Sequence, residues 1–211
     1  GAGIGYTGIR IRGVDPTRTN VTINGIPIND SESHGMYWVN MPDISSSVNN
    51  IQVQRGVGTS SNGASAFGAS INVETNTLNK EAYSILDNSF GSFNTLRNTV
   101  KAGTGLLNNK FIIDTRLSSI QSDGYVDRSA AELKSFMLSG TWLGENSTLR
   151  ATMFSGKERT EQAWYGTPES VINGNPEEIT AYADRNYIFG SDRENLLTAG
   201  RKYNYYTYDN E

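Results

Sequence analysis

The chain has 211 residues, 18 basic and 22 acidic side chains for a formal charge of −4, and no cysteine. That length supports one or two domains with a sizeable core, and the missing thiols exclude disulfides, thiolate metal centres and a cysteine nucleophile. A mildly acidic balance with no basic cluster speaks against a nucleic-acid partner.

In chain order, Gly1 begins inside a motif with no initiator Met, so the sequence reads as an excerpt of a longer chain and the missing signal peptide is uninformative. Gly3-Ile4-Gly5-Tyr6-Thr7-Gly8 has the glycine spacing of a dinucleotide fingerprint. Alternating Ile9-Arg10-Ile11-Arg12 follows it, so no helix N-terminus is available for a pyrophosphate. Gly13-Val14-Asp15-Pro16 is a turn, and Asn20 to Ile28 reads as two strands about the tight-turn pair Asn24-Gly25. Ser31 to Met41 then breaks the strand pattern with His34, Met36, Tyr37 and Trp38. His34 is the single histidine, and one imidazole without a second His or a Cys makes a poor metal site.

From Ile51 to Asn76 the pattern is strand, glycine-rich loop, strand. Ile51 and Val53 alternate with polar residues as a half-buried strand does, Arg55-Gly56 ends the run, and Ile71 to Thr75 alternates again. Gly58 to Gly63 has the glycine spacing of a P-loop, but Ala64 stands where the phosphate-contacting Lys must be.

This stretch resembles the end of the plug domain of TonB-dependent outer-membrane receptors. Ile51, Val53, Arg55, Gly56, Gly63, Ala66, Gly68, Ile71, Asn72, Val73 and Thr75 match its signature in order. Gln52 and Val57 depart from it, where the family usually has Glu and often has Pro. Arg12-Gly13 resembles an earlier Arg-Gly motif of the plug, and Thr22 to Pro27 its Asp-Gly turn with Asn24 replacing Asp. The resemblance implies that Arg12 and Arg55 pair with barrel glutamates and hold the plug in the lumen. It also implies that the apical loop carrying His34, Met36, Tyr37 and Trp38 helps line the vestibule where substrate docks. The residues themselves leave open whether the aromatics of that loop touch substrate or only pack against plug core or barrel wall.

Beyond Lys80 the alternation lengthens, as a transmembrane β-barrel requires. No apolar run is long enough for a transmembrane helix, so strands closed into a barrel are the only membrane-spanning option. Leu96, Val100, Phe111, Ile113, Leu117, Phe136, Leu138 and Leu149 are expected on the lipid face, and Arg97, Lys101, Asp114, Arg116 and Arg150 on the lumen face. Charges are expected on one face only. Turns at Leu107-Asn108-Asn109 and Gly144-Glu145-Asn146 are short, whereas Ser122 to about Leu133 and the stretch from Gly156 onward are long and polar. The latter contains Trp164 and Tyr165 and ends Tyr-rich, and it reads as a large extracellular loop whose aromatics contact substrate or form an interfacial girdle.

The expected fold is therefore all-β and membrane-bound. A plug part with a small mixed sheet spans residues 1–79, and the first antiparallel barrel strands with their loops span 80–211, all within a larger protein. The implied function is outer-membrane import of a scarce or bulky ligand (iron-siderophore, haem, cobalamin or glycan) driven by TonB, which would engage a segment upstream of Gly1. Outer-membrane lipid and a surface lipoprotein complete the implied partners. No cofactor and no catalytic group is expected. The alternatives are a non-transporting barrel, such as an adhesin or porin-like channel, and a glycan hydrolase. The latter needs two facing carboxylates, and nothing in the sequence pairs Asp114, Asp123, Asp127 or Glu132.

Overall fold

The computed structural model describes residues 4, 7–57, 67–75, 78–161, 166–203 and 209–210. Asn24 and Gly25 both take left-handed backbone, φ 51° and 82°, as a two-residue hairpin with right-twisted strands demands. They fold β1 (Thr19–Ile23) onto β2 (Ile26–Pro27) with Ile23 opposite Ile26. The Asn24 side chain then donates to Thr75 Oγ1 (2.8 Å) and accepts from the Thr75 amide (3.0 Å). The side-chain amide, donor and acceptor at once, thus joins the hairpin turn to the end of β4 by two hydrogen bonds.

β3 (Asn50–Arg55) and β4 (Ala69–Glu74) complete a sheet of order β2-β1-β4-β3, in which β1 and β4 are parallel and the other neighbours antiparallel. This is the small mixed sheet expected. Its core is Val21, Ile71 and Val73, with Ile11, Ile23, Ile28, Met36, Trp38 and Val48 packed around them. Gly68 permits the close approach of β4 to the preceding turn, since a Cβ there would lie 2.5 Å from Val14 Cγ1. The edge strand β3 differs from expectation. Ile51 and Val53 are half exposed, because no described element of this chain covers that face.

β5 (Tyr83–Gly91), β6 (Thr95–Gly103), β7 (Phe111–Ser122), β8 (Ala131–Leu143) and β9 (Thr148–Glu161) follow as an antiparallel meander, with β10 (Asp209–Asn210) on the edge of β9. Asn108 and Asn109 both have positive φ, and Leu107 exchanges backbone bonds with Phe111, which makes the β6–β7 turn tight as expected. Phe93 and Asn94 do the same for β5–β6, at the end of the wall where the long connections lie.

Burial alternates along β7 from Phe111 to Ser118: Ile112, Asp114, Arg116 and Ser118 are buried, while Phe111, Ile113, Thr115 and Leu117 are exposed. Cross-strand registry extends the outward face through Leu86, Val100, Leu117 and Phe136. The two-face wall is thus as patterned in the sequence, with one correction. Glu132, Lys134, Lys157 and Arg159 share that outward face. β8 and β9 have 13 and 14 residues and outrun the roughly ten needed to cross a bilayer, so their ends carry charge beyond the apolar band.

The stretch after β9 holds more order than its polar composition predicts. α1 (Glu169–Asn173), α2 (Pro176–Arg185) and α3 (Gly190–Thr198) enclose a small core of Val171, Ile179, Ala183, Ile188, Leu196 and Tyr203. α2 starts where the Asn175 side chain accepts from the Glu177 amide, with Pro176 at the first position, Glu177 and Glu178 in the first turn and Arg185 in the last. Arg201 pairs with Asp127 at 2.8 Å, tying this helical unit to the β7–β8 connection.

Candidate functional site: a polar joint between two sheets

The segment between β2 and β3 brings the first domain onto the wall. Asp43 takes left-handed backbone (φ 52°) and leads into the single helical turn Ile44–Ser47. That kink turns its carboxylate toward β7. There it accepts from Ser118 Oγ, and its Oδ2 lies 3.5 Å from Arg116 Nη1. Arg116 is 1% exposed, donates from Nη1 to Ser135 Oγ at 2.8 Å, and holds its guanidinium 5.7 Å from the centre of the Phe154 ring. One strand over, Arg97 Nη2 donates to Ser46 Oγ at 2.9 Å. The close seat depends on Gly156, where a Cβ would fall 2.6 Å from Pro42 Cγ and 2.9 Å from Ser135 Cβ. A charge in so enclosed a place is costly unless paired, and Asp43 and Arg116 supply that pairing for each other.

Two further ionisable residues sit beside the joint. Lys101 is directly opposite Arg116 across β6 and β7, and Asp114 accepts from Tyr83 Oη at 2.9 Å. Together with Ser47, Asn49 and Lys80 these residues line a cavity of about 600 Å³ between the first domain and the wall.

The apical loop divides its residues between two roles. Met36 and Trp38 pack against the core of the first sheet, whereas Tyr37 is 53% exposed. Asp30 folds the loop by accepting from the Ser33 amide (2.7 Å), Ser33 Oγ (2.8 Å) and the Glu32 amide (3.1 Å). These bonds, that to the Ser33 amide foremost, hold the Asp30 carboxyl below its ordinary pKa. Tyr37 Oη in turn donates to Ser33 Oγ at 3.2 Å. His34 is exposed with φ 58°, and its carbonyl accepts from Asn29 Nδ2.

Arg12 (φ 54°) and Arg55 are both exposed, and neither enters an ion pair among the described residues. Trp164 and Tyr165 lie outside the described residues. The sequence reading missed Asp43, Ser46 and Ser118. The available signal was an acidic residue after Met41-Pro42 in a segment otherwise short of charge.

Comparison with known proteins bears on this geometry. A family described as the TonB-dependent receptor plug domain matches residues 1–70. No curated protein matches the chain. Among solved structures, the ferric-catecholate import receptor Fiu from E. coli K12 aligns over 86% of this chain and 26% of its own, at 18% identity and TM-score 0.62. The copper transporter OprC aligns over 77% and 27%, at 20% identity and TM-score 0.61. The pyoverdine outer membrane receptor FpvA from Pseudomonas aeruginosa PAO1, bound to pyoverdine, aligns over 80% and 26%, at 14% identity and TM-score 0.58. At such identities the likeness is one of fold. The chain spans about a quarter of the length of these three proteins.

Proposed function

We propose that this chain, whose residues 1–70 match the TonB-dependent receptor plug domain, is the gating part of an outer-membrane receptor that imports its ligand actively. The observation that carries the reading is the joint. The plug meets the wall through Asp43, Ser46, Arg97, Arg116 and Ser118 rather than through a greasy interface. Polar contacts of this kind exchange for water at small net cost, about 0.5–1.5 kcal/mol per hydrogen bond, so the plug can leave the wall without exposing a core. In this reading residues 1–79 act as plug and 80–211 as the first wall strands, and TonB pulls through a segment upstream of Gly1. Arg12 and Arg55, exposed here, pair with glutamates on wall strands elsewhere in the barrel. The ligand is of the iron-siderophore, haem, cobalamin or glycan class, and a surface lipoprotein is a partner if it is a glycan. Chemistry on the ligand is not part of the reading, consistent with matched structures that are receptors and transporters.

Within the vestibule Tyr37 and His34 are the ligand-facing pair, while Met36 and Trp38 hold the loop to the plug core. Replacing Tyr37 with Ala in the full-length receptor should weaken ligand binding by about 1–3 kcal/mol, the scale for losing an aromatic contact, with surface expression unchanged. Trp38→Ala should instead lower expression or thermal stability. Unchanged binding by Tyr37→Ala at normal expression would remove this loop from the site and shift the assignment to the segment of Trp164 and Tyr165.

A further inference from the structure

Lys101 and Arg116 stand directly opposite each other on the covered face of β6 and β7. Like charges in that relation destabilise a sheet, and Arg97 adds a third cation on the same face. Asp43 answers Arg116, yet the Arg116 Nε and Nη2 hydrogens have no acceptor among the described residues, although the side chain is only 1% exposed. Lys101 enters no ion pair among the described residues. Native proteins pair nearly all such groups with protein, water or an ion, so a buried guanidinium with free donors calls for an explanation.

The adjacent cavity supplies one. Its volume of about 600 Å³ lies within the usual range for small-ligand sites. Lys80, Lys101 and Arg116 line it with Ser47, whose buried hydroxyl has no partner among the described residues, and with Asn49, Thr75 and Asn79, which are engaged by protein groups. The lining carboxylates are Glu81, which is exposed, and Asp114, which is engaged by Tyr83 Oη. An oxyanion held by the Lys101 ammonium would cancel the repulsion across β6 and β7 and give the Arg116 donors a compensating field.

We infer that this cavity between plug and wall is an oxyanion-binding site for a carboxylate or phosphate group, with Lys101 as its contact residue and Arg116 as its buried support. The site is separate from the Tyr37 loop. Building on the import reading, it is a resting point for an anionic ligand, or an anionic arm of one, on its way past the plug, and its position next to Asp43 links its occupancy to the joint. A free ion from the surrounding solution would present the same chemistry, so the test separates the two sources.

The experiment uses the purified full-length receptor in detergent, with inorganic phosphate, selenate and citrate as probes. Saturable binding is expected by calorimetry, together with anomalous density from selenate beside Lys101 Nζ in crystals. Lys101→Gln, which leaves Asp43 and Arg116 in place, should weaken binding at least 10-fold, while Tyr37→Ala should leave it unchanged. Citrate bound more tightly than phosphate and lost with Lys101→Gln identifies a site shaped for an organic anion. Equal affinity for all three probes identifies a site for free ions and overturns its assignment to ligand transit. No saturable binding, or binding indifferent to Lys101→Gln, overturns the site altogether. Ligand uptake that persists in that case leaves the import reading standing, so the two can fail separately.

Discussion

The apolar cluster inside the first sheet is Val21, Ile71 and Val73, whereas the buried side chains where the plug segment meets the wall are Asp43, Ser46, Arg116 and Ser118. The two regions use opposite chemistry for opposite purposes. Apolar burial holds the sheet β2-β1-β4-β3 together, and water cannot replace it. The joint is held by hydrogen bonds and one ion pair, each of which water can take over once the surfaces part. Cohesion and attachment are thereby separated, and a pull on the plug is expected to break the second before the first.

The largest test removes the carboxylate at the joint. Asp43→Ala leaves Arg116 buried without its counter-charge, which should cost about 3–5 kcal/mol. Hydrogen exchange in the full-length receptor should show faster exchange in residues 41–49 and in β7 near Arg116, with β1 and β4 still protected. Adding Arg116→Met to Asp43→Ala should recover most of the loss, because the orphaned charge is then gone. Exchange that rises equally in β1 and β4 would show attachment and cohesion to be one unit.

The converse substitution acts within the plug. Ile71 is buried beside Val21 and Val73, and Ile71→Ala should cost about 2–5 kcal/mol as lost transfer energy plus a residual cavity. Here the expected pattern is reversed: protection falls across β1, β3 and β4, while the Asp43 and Arg116 contact survives until the plug itself unfolds. A loss confined to the joint would contradict the division drawn above.

How far each region was legible follows from what specified it. The plug sheet rests on short-range signals. Asn24-Gly25 fixes a hairpin, and the alternation in residues 69–74 sets which side chains point inward. The wall rests on period two, so Phe111, Ile113 and Leu117 could be separated from Asp114 and Arg116 by inspection. The joint is different, for Asp43 and Ser118 are 75 residues apart, and no local rule announces that a kinked turn will set one beside the other. The sequence reading therefore placed plug attachment on Arg12 and Arg55, whereas the attachment this chain makes on its own runs from wall arginines to plug acceptors. The helices after β9 were missed for another reason. Asn175-Pro176-Glu177-Glu178 is a sound helix start, but the aromatic and polar residues around it suggested only loop. Outward Lys134 and Lys157 were missed because strand ends beyond the apolar band escape the period-two rule of the span.

The smallest expected effect concerns the loop that presents Tyr37, and it is a matter of pH. The Asp30 carboxylate accepts from the Ser33 amide, Ser33 Oγ and the Glu32 amide, and Ser33 Oγ accepts from Tyr37 Oη, so one carboxylate orders the path from turn to aromatic ring. The Ser33 amide bond leads the causes that lower the Asp30 pKa, with the Ser33 hydroxyl next. A carboxyl whose folded pKa is depressed contributes order that is fully present above the unfolded value, about 3.9, and that is lost as pH falls through the folded value. At neutral pH the loop should therefore be fully set, loosening only below about pH 4. Because Asp30 is exposed the change is local and the fold is untouched. Hydrogen exchange of peptides spanning residues 30–37 should show protection relative to Asp30→Asn at neutral pH, with the ratio approaching one on acidification. The same ratio at every pH would mean that the backbone alone sets the loop, and that Tyr37 keeps its position without the carboxylate.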